Sequence, residues 1–311
     1  MSDVESRAKN RRLILASTLL LVGGIGFGLV IALNRVVTTE GIPFIPYIFW
    51  QSLGASVVLL VVSVIRRKLP PLTAAHLRYY TVLGIAGLAI PWTVLAYVAP
   101  EIPVGVIAIL LALSPLIVYA MAVGLTMDSL RWSRVLGLFL GLVGILLIAL
   151  PETSLPARGM VGWVLVALIP PACFALSTIL AERMRPPTGD AISFSCGLLV
   201  VGSLFMLPVM VISDSWWIFQ EPLSKGEATV FFLMLLSAFL WPLLFTIIRL
   251  AGSVFFSTVA YIDTLAGVGW GILFFSEAHS LWIWGALALV MGGLFLVNRR
   301  GRELPTGVKA D

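Results

Sequence analysis

The chain has 311 residues, of which 60% are hydrophobic and 11% charged, and its mean hydropathy is +1.06; a soluble domain carries about a quarter charged residues. A water-soluble globule is excluded, because a bilayer core about 30 Å thick needs runs of roughly 20 apolar residues and this chain is made of such runs. Two histidines and two cysteines, with Cys173 and Cys196 inside apolar stretches, leave no material for a disulfide framework, a zinc site or a haem motif, so neither metal nor cofactor is expected.

Residues 1–12 are polar and carry Arg7, Lys9, Arg11 and Arg12. The apolar run behind them outlasts a signal-peptide core and offers no convincing small-residue cleavage site, which makes it a retained first span at 13–35. Further apolar segments follow at 45–65, 77–99, 103–126 and 132–150. After a linker at 151–157 come 159–181, 190–213, 227–249, 252–275 and 280–298. Helices satisfy their own backbone groups in lipid, and the alternation of a barrel strand is missing, so the expected fold is an all-α polytopic membrane protein with ten transmembrane helices.

With the amino terminus inside, 17 of the 20 Lys and Arg border cytoplasmic ends, and only Arg35, Arg158 and Lys225 fall on the other side. This is the positive-inside pattern of an inner-membrane protein with both termini cytoplasmic. It also accounts for the formal charge of +5 without nucleic acid, because the basic residues border helices instead of forming one patch.

The two halves of the chain resemble each other. Gly137 and Gly144 in VLGLFLGLVGILL recur at the same spacing as Gly285 and Gly292 in IWGALALVMGGLF, and Pro91-Trp92 in span 3 has a partner in Trp241-Pro242 of span 8. Five spans per half is odd, so the second copy crosses in the opposite sense. The expected organisation is therefore two inverted five-helix repeats, 13–150 and 158–299, around a central cavity, with a cytoplasmic tail at 300–311.

The ten-span layout, the glycines of the first span (Gly23, Gly24, Gly26, Gly28), the stretch AILLALSPLIVYAMAVGL closed by Asp128, and FSEAHSLWIWGALALVMGGLFLV together resemble the EamA family of the drug/metabolite transporter superfamily. The resemblance covers nearly the full chain and implies a basket of helices around a cavity, alternating access, and passage of a small metabolite. Asp128 stands where the family more often has Glu, Glu277 fits the second copy, and Gln51 occupies a place in span 2 where many members carry arginine.

Asp263 is the sharpest single signal. It lies 11 residues past Gly252, about 16 Å along a helix and close to the bilayer centre. A carboxylate there costs at least ~2.5 kcal/mol, so it must face water, pair with a donor or stay protonated. It is a candidate for substrate binding and proton coupling; the alternative is a neutral group bonded to Tyr261, Thr264 or nearby backbone. Trp270, on the same helical stripe, lies deeper than an interfacial belt. Repeat logic adds Ser114 and Pro115 in span 4, with Tyr119 one turn on. Trp50, Trp92, Trp241 and Tyr261 could complete an aromatic wall, and Gln51 offers a neutral donor and acceptor. Pro91, Pro115, Pro171 (beside Pro170) and Pro242 break spans 3, 4, 6 and 8 and are candidate hinges. Arg35, Glu182-Arg183, Glu101, Asp128 and Glu277 read as solvated helix ends or loop charges, and His76 and His279 as loop residues without ligand spacing.

The expected function is a secondary active transporter of a small neutral, zwitterionic or cationic metabolite such as an amino acid, with export favoured over import and with protons as a candidate coupling ion. The competing readings are a facilitative channel or uniporter-like permease and an intramembrane enzyme acting on lipid. The enzyme would need paired acids or a nucleophile set that this chain lacks, and no nucleotide-binding motif is present for a pump.

Overall fold

The computed structural model describes residues 3–298 except 128, 152, 158, 252–255 and 257, and for 3–13, 182 and 251 the backbone alone. Asp128, Arg158, Gly252, the side chains of Arg7, Lys9, Arg11, Arg12 and Glu182, and the tail at 300–311 therefore lie outside the described residues. Among the described residues all regular structure is helical. The helices are α1 (Asp3–Thr39), α2 (Phe44–Ile65), α3 (Ala74–Leu83, a π-helical turn Gly84–Ala89, then Ile90–Val98), α4 (Val104–Leu111 and Ser114–Gly124) and α5 (Trp132–Ala149). They continue with α6 (Met160–Val166 and Ile169–Arg183), α7 (Ala191–Ile212), α8 (Lys225–Ala251), α9 (Val259–Phe275) and α10 (Leu281–Asn298). Among the described residues nine of these spans are long and apolar enough to cross a membrane, and the described part of α9 is an apolar helix of 17 residues.

Proline chemistry explains the interruptions. Pro91, Pro115 and the pair Pro170-Pro171 each sit in the first positions of a helical segment, where the missing N–H is harmless. Upstream of each the path changes: the π turn before Pro91, the break at Ala112–Leu113 before Pro115, and the break at Ala167–Leu168 before Pro170. Pro242 departs from the expectation, because α8 runs through it unbroken. A proline deep in a 27-residue helix costs one hydrogen bond while the turns on either side keep theirs. Pro208 sits inside α7 in the same way.

Glycine sets the closest approach. A methyl group added at Gly137 on α5 would come within 2.6 Å of the Gly293 carbonyl oxygen on α10, so those two backbones touch. Gly293, not Gly285 or Gly292, makes this crossing. Gly285 and Gly292 leave ordinary van der Waals space instead, 3.6 Å to Leu147 and 3.8 Å to Leu140. The helix pairing keeps its form when the halves are exchanged: α1 packs on α8 and α9 as α6 packs on α3 and α4, α2 meets α8 as α7 meets α3, and α2–α7, α4–α9 and α5–α10 pair with each other. Large apolar side chains such as Phe139, Leu142, Leu235 and Phe239 stay exposed on the outside of the bundle, where lipid covers them.

Candidate functional site

A cavity lies between the halves, walled by α1, α2, α3, α7 and α8. Phe27, Gln51, Ser52, Trp92, Ser237 and Trp241 face it, and it encloses about 10 Å³ of free space, room for about one water molecule. Gln51, Trp92 and Trp241, chosen from sequence, thus meet at one place. Ser237, at the middle of α8, was not among the residues singled out; a serine inside an apolar run has no signature that separates a cavity from a helix crossing. Gln51 Nε2 donates to Ser237 Oγ at 2.8 Å across the two halves. Ser52 is spent locally, its hydroxyl donating to the Ile48 carbonyl at 2.7 Å. Two polar atoms are left over: among the described residues Gln51 Oε1 and Trp92 Nε1 have no hydrogen-bond partner, on residues only 8% and 9% exposed. Each such orphan costs about 1–3 kcal/mol.

Asp263 lies on a different face of α1 from this cavity. It is in the second turn of the described α9, against the α1 face formed by Gly24 and Gly28. A methyl at Gly28 would stand 2.9 Å from the Asp263 carbonyl oxygen, and one at Gly24 3.2 Å from its amide nitrogen. Its half-buried carboxylate has Thr264 Oγ1 at 3.4 Å, although that hydroxyl makes its short bond to the Ala260 carbonyl at 2.7 Å. Trp270 stacks on Phe274 and donates to the Ile25 carbonyl at 3.3 Å, and Tyr261 pairs with Asn298 at the end of α10. These three residues share α9 and stand apart from Gln51, Trp92 and Trp241.

The remaining named residues are elsewhere. Trp50 points to the loop before α8, donating to the Trp217 carbonyl at 3.0 Å. Tyr119 donates to the Ser129 carbonyl at 3.2 Å, accepts from the Arg131 amide at 2.9 Å and lies under Arg134. Ser114 opens the second segment of α4. His76 is not in a loop: it sits in the first turn of α3, bonded to Thr73 Oγ1 at 2.7 Å and to the Thr188 carbonyl at 2.9 Å. Nearby, Asp190 caps α7 through the Ser193 amide at 2.9 Å and pairs with Arg66 at 3.4 Å. Burial pushes this carboxyl up, but the Ser193 bonds with Arg66 and Lys68 outweigh it and hold it below the ordinary value.

A second constellation, read from sequence as loop charges, gathers at the far end of α1. Glu277, in the turn between α9 and α10, takes Arg35 Nη1 on Oε1 at 2.7 Å, the Val104 amide on Oε1 at 2.7 Å and the Gly105 amide on Oε2 at 3.1 Å. It neutralises the arginine and caps the positive end of α4. Arg35 also covers the Phe275 ring at 4.8 Å. His279 Nε2 stands 3.6 Å from Glu277 Oε2 in a side chain 1% exposed. Both its ring nitrogens lack hydrogen-bond partners among the described residues, and burial pushes the imidazole below its ordinary value against the pull of Glu277. The signal available in sequence was an acid and a histidine in a five-residue turn between two apolar helices, which is also what a solvated turn looks like. No group of His, Cys, Asp and Glu among the described residues could hold a metal.

The family model of the EamA-like transporter family matches residues 14–150. That match takes in the first half of the chain and makes it similar to that family there. Protein PecM of Dickeya dadantii (strain 3937) is 26% identical over 263 residues, covering 79% of this chain and 83% of PecM. A solved crystal structure superimposes with a TM-score of 0.56 at 17% identity over 91% of this chain and 96% of the other, a likeness of fold. The chain is a multi-pass membrane protein whose first half is similar to the EamA-like transporter family.

Proposed function

We propose that the protein is a secondary transporter, and not an enzyme, that carries a small metabolite through the cavity between its halves by alternating access, with export favoured. The observation that carries this reading is the Gln51–Ser237 hydrogen bond at the cavity wall: a site built jointly by both halves opens to one side or the other when the halves rock. The helix pairing that survives exchange of the halves supports two inverted repeats, 13–150 and 158–299. The distribution of basic residues supports both termini in the cytoplasm of a bacterial inner membrane. In that orientation the end of α1, the α3–α4 turn and the α9–α10 turn all face outward, so the Arg35–Glu277–α4 contact is a tie across the outer end that must release for outward opening. Asp263 is the proposed proton carrier. It lies against α1, whose other face lines the cavity, and protonation there would act on the cavity through α1.

The test begins with a tolerance screen in cells overproducing the protein, followed by counterflow of the compound it identifies in proteoliposomes. A transporter exchanges labelled for unlabelled compound, a channel only dissipates the gradient, and an enzyme alters the compound. With Asp263→Asn, exchange should survive while uphill transport and its pH dependence are lost; an unchanged rate and pH profile would remove Asp263 from the mechanism.

A further inference from the structure

The cavity says more about its ligand than that it is small. Among the described residues lining it none is charged, and the carboxylate of Asp263 belongs to another face of α1. A ligand charge brought into this apolar enclosure would find no counter-ion, and an unpaired buried charge is far costlier than a buried dipole. The ordered hydroxyl of Ser52 is committed to its own helix, and one N–H of the Gln51 amide to Ser237 Oγ. The lining polar atoms with no partner at all among the described residues are one donor, Trp92 Nε1–H on α3, and one acceptor, Gln51 Oε1 on α2, both on side chains more than nine-tenths buried; the second Gln51 N–H and the Ser237 hydroxyl hydrogen sit beside them on groups already joined to each other. Around them stand the indoles of Trp92 and Trp241 and the ring of Phe27, surfaces that take up a flat ring face to face or edge on. A cation attracted to these rings would satisfy Gln51 and leave the Trp92 N–H without an acceptor.

Resting on the reading of this cavity as the transport site, we propose that its ligand is an uncharged planar molecule that accepts a hydrogen bond from Trp92 Nε1 and donates one to Gln51 Oε1. The free space is far smaller than such a ring, so the ligand enters when the walls of the two halves part. This narrows the substrate from any neutral, zwitterionic or cationic metabolite to heteroaromatic amides, lactams and similar neutral rings, and it assigns specificity to Trp92 and Gln51.

One ring in three charge states tests it: nicotinamide (neutral), nicotinate (anion) and 1-methylnicotinamide (cation), with binding to the purified full-length protein in lipid nanodiscs followed by scintillation proximity. Nicotinamide should bind, and each charged form should bind at least about tenfold more weakly. Trp92→Phe and Gln51→Leu should each weaken nicotinamide by about tenfold. N,N-dimethylnicotinamide, which has lost its donor, should respond to Trp92→Phe but not to Gln51→Leu. The proposal is overturned if nicotinamide does not bind, if either charged form binds as well, or if both variants bind like the parent. Should a variant fail to fold, the charge series and the loss of affinity on dimethylation, both read on the unmodified protein, decide alone. Counterflow of labelled nicotinamide separates the two readings. Binding without exchange refutes transport and leaves the ligand class standing, whereas exchange of a charged form but not of nicotinamide refutes the ligand class and leaves transport standing.

Discussion

Glu277 holds one carboxylate against Arg35 and the first two free amides of α4, so its loss strands a cation and a helix end together. Glu277→Gln keeps the shape and one acceptor but drops the charge. It should lower stability by about 1–3 kcal/mol, read as a fall in the thermal unfolding midpoint in detergent. If Arg35 and Glu277 act as a pair, Arg35→Ala combined with Glu277→Gln costs less than the sum of the single changes; strict additivity would mean that the tie is not coupled. His279 supplies a pH dependence. Its imidazole is held below the ordinary value of 6.5, so as pH falls through about 6.5 the unfolded chain takes up a proton that the folded one refuses, and stability falls toward the lower folded value. Thermal midpoints between pH 8 and 5 should show this decline, and His279→Phe should flatten it. None of this could be read from the residues in isolation, since an arginine and a glutamate 242 positions apart look like ordinary helix ends.

At the scale of helices, the prolines marked the changes in path in α3, α4 and α6 because the missing N–H and the ring clash act within one turn. The same reasoning failed at Pro242, where a long packed helix absorbs the defect. Glycine periodicity related α5 to α10 but carried no information on which glycine of α10 meets α5. A 100° turn per residue puts Gly292 and Gly293 on different sides, and only the packed pair shows which one faces Gly137. Gly137→Leu should force the two backbones apart and destabilise the protein by about 1–3 kcal/mol, whereas Gly285→Ala, with Leu147 at 3.6 Å, should stay within about 0.5 kcal/mol. Thermal midpoints of the two variants measured side by side check the contrast; equal losses would show that the crossing is not set by the Gly137–Gly293 contact.

At the scale of the molecule, the proposed ten crossings and the strong basic bias would put both termini on one side. In a background lacking Cys173 and Cys196, single cysteines at Ser2 and Gly307 should both resist an impermeant thiol reagent in intact cells and react after permeabilisation. Reaction of either one in intact cells would overturn the proposed topology and, with it, the opposite sense of the two repeats.

Membrane residence, the near-complete helicity and the positions of most helix interruptions came from the sequence by itself, because each rests on composition or on interactions within a few residues, and lipid leaves the backbone almost no other choice. Which side chains face one another was decided only by tertiary structure. Gln51 reaches Ser237 across 186 positions and Glu277 reaches Arg35 across 242, through helix crossings that small residues such as Gly54 and Gly28 allow. Asp263 shows the same division: its cost in an apolar helix was legible from one residue, but whether it faced the cavity depended on the rotation of α9 against α1. That rotation is set by the packing of Gly24 and Gly28 on Ile262 and Ala266, since helix rotation in a bundle follows from which surfaces fit and not from the local chain.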